Sequence, residues 1–533
     1  MNGLMDISQT TSVLLVFIIT FLVVWLWRRR EKPKGNLPRK EFWFPFSELL
    51  VSFVDSDKLF KDLGKKRPMA RFRNGFDGPD DFILTTHKAI HEAFIKKGHL
   101  FTDRPTKFIW TEWSTQNGMV HGLLNSWGDL WKQQRRYALM TLRDFGLGKT
   151  SIAEAIQEEI GYLVDEFQKF EGKAVDPQQL LMPAISNVTN FLLFGERFQY
   201  DDPKFQQIMK NLMGQFQYFL LAQNAVVYPF LRYIPGDPFK FHYTFKCMGT
   251  TRKFLEERIE RHVAEYDPDN IKCFTDAYIK AIKGEKDKEG TYFTDFQLLT
   301  SVEELFFAGT DTTVTTLRWG LLLLILNPDV QKKVHDELDS VIGSRRVSME
   351  DRASLPYTEA TLLEIQRFGC IVPVAGHKNT EDVEISGYTI PAGSTVAAGF
   401  ICVFFDEEFW TKPEQFDPYG YTIPAGSTVA AGFICVFFDE EFWTKPEQFD
   451  PARFLDESGK LGKIPDCLTP FSLGRRVCLG ESLAKMELFL FFTNLLQQFS
   501  FTIPSGEESP SLKSRWSLVR SPLPFKVEVH RRR

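Results

Sequence analysis

The stretch Phe471-Ser472-Leu473-Gly474-Arg475-Arg476-Val477-Cys478-Leu479-Gly480 decides how this chain is read. It sets one cysteine between two glycines, three residues after a phenylalanine-led turn and two after an arginine. Glycines on both sides let the backbone bend tightly and approach a flat ligand, and a thiolate presented on such a turn is a soft metal ligand. A buried structural cysteine beside a glycine turn is the alternative, and for an isolated cysteine it is the better reading. Five fixed positions change that balance. At average residue usage the combination arises by chance on the order of once per million start positions or less.

Working outward, Ala308-Gly309-Thr310-Asp311-Thr312-Thr313 lies in a long apolar helical pattern. Alone it reads as a packing and back-bonding site. Glu364 and Arg367 stand three apart, a pair that on a solvated helix contributes only about 0.2–0.5 kcal/mol. Pro446, Phe449, Pro451, Arg453 and Phe454 form a compact aromatic and proline cluster before the cysteine loop. Trp131 and Arg135 sit one helical turn apart, able to reach one carboxylate together. His377 follows Val372-Pro373 and Ala375-Gly376 and is open to reading as a donor or as an ordinary surface histidine.

These residues resemble the cytochrome P450 family, whose haem-binding loop has the pattern FxxGxRxCxG. The resemblance covers the chain from its start to about residue 526 and is nearest to animal microsomal drug- and xenobiotic-metabolising members, as in ALMTLRDFGLGK at 138–149. It implies haem b (iron protoporphyrin IX) with Cys478 as axial ligand, and Phe471 and Gly480 shaping the loop. Arg476, Trp131, Arg135 and His377 would hold the propionates. Gly309 is expected to let the distal helix loosen over the oxygen pocket, with Asp311 and Thr312 organising protons as the catalytic pair. Glu364, Arg367 and Arg453 are expected to form a structural, not catalytic, triad. The implied fold is mainly α with a minor β-sheet, behind an N-terminal transmembrane helix.

Composition agrees with a large globular enzyme: 43% hydrophobic and 25% charged residues, with a formal net charge of −5 that argues against nucleic acid as partner. Seven cysteines without a CxxC pair read as reduced intracellular thiols. Apolar residues at three and four spacing predict helices over Ser151–Phe170, Thr250–Glu265, Phe296–Leu326, Asp329–Ile342 and Glu481–Phe499. Short strands are predicted over Asp382–Ile385 and Tyr388–Ile390.

Val13 to Trp27 reads VLLVFIITFLVVWLW, and with Thr11 and Ser12 it approaches the ~17–25 residues a membrane-spanning helix needs. Asp6 precedes it and Arg28, Arg29, Arg30, Lys32 and Lys34 follow it, the reverse of a cleaved signal peptide, which is the other reading. The expectation is an anchor over 1–30, a proline-glycine hinge over 31–39 and one catalytic domain over 40–533. The catalytic domain faces the cytosol from the endoplasmic reticulum membrane, so the sequon at Asn187 stays unglycosylated.

One segment is anomalous. Gly387–Pro418 is repeated letter for letter as Gly420–Pro451. Two identical units in mid-domain are not repeat architecture, which usually needs three or more diverged units. Only the second copy runs on into Arg453 and the cysteine loop, so the second is expected to hold the functional place. Removing one 33-residue unit leaves 500 residues of the 533.

No flavin or nicotinamide motif is present, so the resemblance implies an NADPH-dependent haem-protein reductase, with cytochrome b5 as a second candidate donor. Lys132, Arg135, Arg136, Arg475 and Lys485 are candidates to guide it. Phe216–Tyr233 reads either as a segment dipping into membrane lipid or as part of a buried helix pair. Apolar segments near Phe108–Met119, Phe216–Phe230, Phe306–Ala308, Val372–Gly376 and Trp516–Val519 imply a lipophilic small-molecule substrate beside O2. The expected activity is insertion of one oxygen atom into that substrate. The alternatives are a haem-thiolate isomerase or dehydratase, against which the Asp311-Thr312 pair argues, and a haem protein impaired or misfolded by the duplication.

Overall fold

The computed structural model describes residues 69–73, 80–145, 150–386, 388–390, 421–422 and 428–532. The expected anchor and hinge lie outside the described residues, and among those described no helix is long and apolar enough to cross a membrane.

The longer helices are α1 (Gly128–Asp144), α2 (Thr150–Gln168), α3 (Pro177–Phe194), α4 (Pro203–Val227), α5 (Phe241–Ala264), α6 (Phe274–Glu285), α7 (Asp295–Leu326), α8 (Pro328–Val341), α9 (Pro356–Gly369) and α10 (Glu481–Gln498). Their starts follow local chemistry. Asp176 accepts from Gln178 N–H ahead of Pro177, Asp202 from Phe205 N–H ahead of Pro203, and Thr294 from Gln297 N–H. Each side chain satisfies a donor that a helix leaves orphaned, and proline at the first position loses nothing by lacking its own. The predicted helices are found within about two residues, except that α5 begins at Phe241. There Phe241, Thr244 and Cys247 carry its buried stripe one way without a break.

α7 runs through the middle of the molecule. It is buried on nearly every side, as expected of a helix apolar all round, and packs on α3, α9 and α10. α4 lies against α5, with Phe216, Phe219 and Leu220 buried, so this segment forms a helix pair; Phe230 and Tyr233 beyond it are exposed. Asn187 is buried, donating to Glu159 and Phe198, which leaves no room for a glycan in the folded chain.

The strands include β1 (Met69–Arg73), β2 (Asp80–Leu84), β3 (Val374–His377), β4 (Val383–Ile385), β5 (Tyr388–Ile390), β6 (Tyr421–Thr422), β7 (Thr428–Gly432), β8 (Phe499–Thr502) and β9 (Val527–Arg531). The main sheet has the order β1-β2-β7-β3. β7 belongs to the second copy of the duplicated segment; Val429 pairs with Phe82 on one side and with His377 on the other. The first copy contributes β5, which makes a hairpin with β4 across Ser386 at φ 50°. β6, the start of the second copy, adds in parallel, so that Tyr388 and Thr389 pair with their own duplicates Tyr421 and Thr422.

Candidate functional site

Cys478 sits at the end of a closed turn. Its N–H donates to the Phe471 carbonyl at 2.9 Å, and Val477 N–H donates to Gly474 O at 3.1 Å. Gly474 has φ +74°, and a Cβ there would lie 2.0 Å from the Phe94 carbonyl oxygen, so only glycine fits. Gly480 is different: a Cβ would meet nothing, and the open space is that of the cavity it lines. The thiol lies three residues before the first residue of α10, whose N-terminal partial charge favours an anion.

A cavity of about 290 Å³ lies between this loop and α7. Cys478, Phe471 and Gly480 of the loop and Ala308, Gly309 and Thr312 of α7 all line it. Among the described cysteines only Cys478 is exposed, and it opens into this cavity; Cys247, Cys273, Cys370, Cys435 and Cys467 are buried elsewhere. Burial raises the Cys478 thiol above the usual range, opposed by the Gly480 N–H and by Arg135. The polypeptide alone therefore does not hold a thiolate there, whereas a bound metal would deprotonate it.

One end of the cavity is cationic. Arg104, Arg135, Arg476 and His377 all line it. Arg476 donates to Thr102 O at 2.8 Å and to Ser126 O at 2.6 Å while its guanidinium lies 3.8 Å over the Trp131 ring. Arg135 donates to the Val477 carbonyl, tying α1 to the cysteine loop. Burial lowers the Arg104 pKa to about 10, with Arg135 adding to the effect, and holds Arg476 well below its ordinary value, with Arg104 and Arg135 contributing. His377 places Nδ1 2.8 Å from Phe101 O, where the nitrogen must donate. Donation from Nε2 as well requires the imidazolium, which burial and Arg104 disfavour.

The nearby acids, Asp103 and Glu304, offset these charges only in part, since Arg476 stays well below its ordinary value. Glu304 is taken up by the N–H groups of Leu123 and Leu124 and by Asn125, and burial lifts it to about 7. Trp131 does not line the cavity, but its Nε1 is buried without a partner. Crowded cations lining the cavity, with an orphaned indole donor packed under Arg476 and a thiol on the same lining, fit a flat metal macrocycle bearing two carboxylates.

On α7, Thr312 Oγ1 donates to the Ala308 carbonyl at 2.7 Å, and the helix is unbroken through Gly309. A Cβ at Gly309 would lie 3.0 Å from Thr189 Oγ1, so this glycine lets α3 come close to α7 here. Asp311 is buried just off the cavity, with Oδ2 unpartnered and its pKa pushed to about 7 by burial against the pull of Arg318. Glu487 of α10 lines the cavity and accepts from Thr313 Oγ1 at 2.9 Å; burial raises it to about 8. Arg104, Glu304 and Glu487 were not singled out in the sequence, although Glu487, an acid alone in KMELFLFF, carried a signal.

The apolar segments named for substrate also converge. Phe307 stacks on Phe216 at 4.1 Å and meets Trp110 at 4.4 Å, Phe108 lies 5.6 Å from Phe219, and Ser517 donates to the Phe216 carbonyl.

Fold and site together define an oxidoreductase of the haem-thiolate class. The chain matches the cytochrome P450 family over residues 57–419 and 419–529, and it belongs to that family. The two matched stretches meet at Tyr419, the residue between the duplicated copies. The chain is 34% identical to cytochrome P450 2U1 of Rattus norvegicus over 98% of its own length and 95% of that protein. It is 37% identical to cytochrome P450 2D20 of Mesocricetus auratus over 84% and 83%, and 34% identical to cytochrome P450 2D6 of Homo sapiens over 98% and 99%. As a member of this family the chain is a monooxygenase that binds haem b through a cysteine thiolate.

Proposed function

We propose that Cys478 is that thiolate and that the chain inserts one atom of O2 into a lipophilic small molecule, using electrons from a separate NADPH-dependent reductase. The observation that carries this reading is one shared cavity: among the described cysteines the single accessible thiol, on a glycine turn, lines it together with Gly309 and Thr312 of α7. Haem held there by Cys478 would supply the redox chemistry that activates O2.

The protein's own part is to hold and to move protons. Arg104, Arg135, Arg476 and His377 would hold the two propionates, and that added negative charge would favour the His377 imidazolium. Thr312 donates its proton to Ala308, so its oxygen lone pairs remain free to accept one from the cavity. Asp311, one residue before Thr312, is pushed to about 7 and unpartnered at Oδ2, a carboxyl able to hold or release a proton at neutral pH. Leu305, Ala308, Ile371, Val372 and Ala375 line the cavity and supply the apolar wall for substrate. Lys132, Arg136 and Arg475 are exposed near the Arg135–Val477 tie, a basic face suited to an acidic donor. The apolar run Val13–Trp27 with its basic flank supports an endoplasmic reticulum anchor over 1–30, a hinge over 31–39 and one catalytic domain over 40–533.

The impaired-protein alternative lacks support, because the second copy supplies β7 and the carbonyls of Phe437 and Gln448 that bind Arg367. The test is the absorption spectrum of the reduced, carbon-monoxide-bound protein. A thiolate-type band lost in Cys478→Ser, together with turnover that depends on added reductase, is the expected result. A band that survives Cys478→Ser overturns the ligand assignment, and turnover of a peroxide substrate without reductase overturns the monooxygenase reading.

A further inference from the structure

Away from the cavity, the end of α5 and the start of α6 gather three different ligand atoms. His262 in the last turn of α5, Cys273 capping α6 and Asp276 in its first turn each bring one donor atom to within 4.8 Å of the others. His262 Nδ1 is 2.6 Å from Asp276 Oδ1 and 3.8 Å from Cys273 Sγ. Cys273 and Asp276 are buried, and His262 is half-buried. Asp276 Oδ2 accepts the Lys272 N–H at 3.0 Å, which fixes the carboxylate with Oδ1 turned to His262.

We propose that these three side chains form a binding site for one divalent transition metal ion of zinc's class, with water as fourth ligand. Sulfur, nitrogen and oxygen are all first-choice zinc donors at about 2.0–2.3 Å, which sets tetrahedral donor atoms roughly 3.3–3.6 Å apart. The histidine–cysteine separation already suits this. The histidine–aspartate separation opens by under ~1 Å when the metal replaces the proton the pair shares.

The balance of charge is favourable. One thiolate, one carboxylate, a neutral imidazole and a dication sum to zero, so the buried site carries no uncompensated charge. One proton leaves to solvent, from Cys273; the metal replaces the Nδ1 proton of the His262–Asp276 hydrogen bond and the neutral imidazole carries its proton on Nε2 instead, and nothing is oxidised or reduced. Burial holds the Cys273 thiol up at about 12, so it stays protonated until a Lewis acid displaces the proton. A thiol and an imidazole are poor ligands for magnesium or calcium. A bound ion would staple α5, and through it α4, to α6 across the connection at 265–273.

The experiment uses the untagged full-length haem protein, stripped with chelator, exposed to zinc chloride and passed through gel filtration before metal analysis. One zinc retained per chain, with a raised unfolding midpoint that magnesium does not reproduce, is expected. Cys273→Ala and Asp276→Asn should each lose that zinc, while Cys247→Ala, at a buried cysteine outside the cluster, should keep it. None of the three ligands lines the haem cavity, so the variants should keep the thiolate-type carbon monoxide band, which reports that they have folded. Wild-type protein that retains no zinc, or a folded Cys273→Ala protein that retains as much as wild type, overturns the proposal.

Discussion

Glu364 and Arg367 face each other in the interior, fully buried, joined by two hydrogen bonds of 2.7 Å from Arg367 Nε and Nη2. Glu364 also accepts from Arg453 Nε at 3.0 Å and from Asp450 N–H at 2.9 Å. Arg367 also donates to the carbonyls of Phe437 and Gln448. On a solvated helix such a pair is nearly worthless; here both charges are answered inside the protein. Removing one partner strands the other, a loss of about 3–5 kcal/mol. Glu364→Gln should therefore lower the unfolding free energy by that amount in urea titration. A change under about 1 kcal/mol would show that the network is not held as described.

The same network ranks the duplicated copies. Trp443 of the second copy is buried, donates from Nε1 to Val436 O at 3.0 Å and meets Phe454 edge-on at 5.7 Å. Trp443→Ala should cost about 3–5 kcal/mol, as large core truncations do. Trp410→Ala, at the identical residue of the first copy, should cost far less, because these contacts are made by Trp443. Equal losses in denaturant melts would mean that both copies compete for one place.

Arg476 binds two loop carbonyls and stacks on Trp131, a geometry that a planar guanidinium meets and an ammonium does not. Breaking hydrogen bonds of this charged kind costs about 1–3 kcal/mol. Arg476→Lys should thus release haem more readily, by roughly 10-fold or more in transfer to apomyoglobin. Unchanged haem transfer would remove Arg476 from the set that holds the cofactor.

Much of this site is legible in the sequence because its spacing is local. The cysteine turn, the Glu364–Arg367 step and the Gly309–Thr313 run each span a few residues, and helix or turn geometry then fixes how their side chains stand. What is not legible depends on partners far along the chain. Glu304 is satisfied by the N–H groups of Leu123 and Leu124, and Glu487 by Thr313, 174 positions away. Arg104 reaches the Gly376 carbonyl, a contact that no local pattern announces. Two identical copies cannot be ranked by their own residues; only Arg453, which follows the second, distinguishes them. Gly309 shows a different limit, since its place in the motif points to the oxygen pocket while the folded helix uses it to approach α3.

That use of Gly309 is open to test. An alanine there gains roughly 0.5–1 kcal/mol of helix propensity but brings Cβ to 3.0 Å from Thr189 Oγ1, where overpacking costs about 1–3 kcal/mol. Gly309→Ala alone should destabilise. With Thr189→Ala beneath it the clash disappears, so the double variant should be more stable than Thr189→Ala alone. Additive effects in the double-mutant cycle would show that the two residues do not meet.

Glu487 gives the chain a predictable response to pH. Its carboxyl is held protonated by burial, with a folded pKa of about 8 against 4.5 for an unperturbed glutamate. Below pH 4.5 both states are protonated and its contribution is fully present. Between 4.5 and about 8 the unfolded chain gives up the proton while the folded chain keeps it, so stability falls as pH rises. Above about 8 both are ionised and the slope vanishes. Asp311, at about 7 against 3.8, acts in the same direction over a lower window. Glu487→Gln keeps a group able to accept from Thr313 and removes the titration. Urea unfolding at intervals from pH 5 to 8 should show a shallower decline for the variant than for wild type; parallel curves would mean that Glu487 is ionised in the folded protein and that Thr313 donates to a carboxylate.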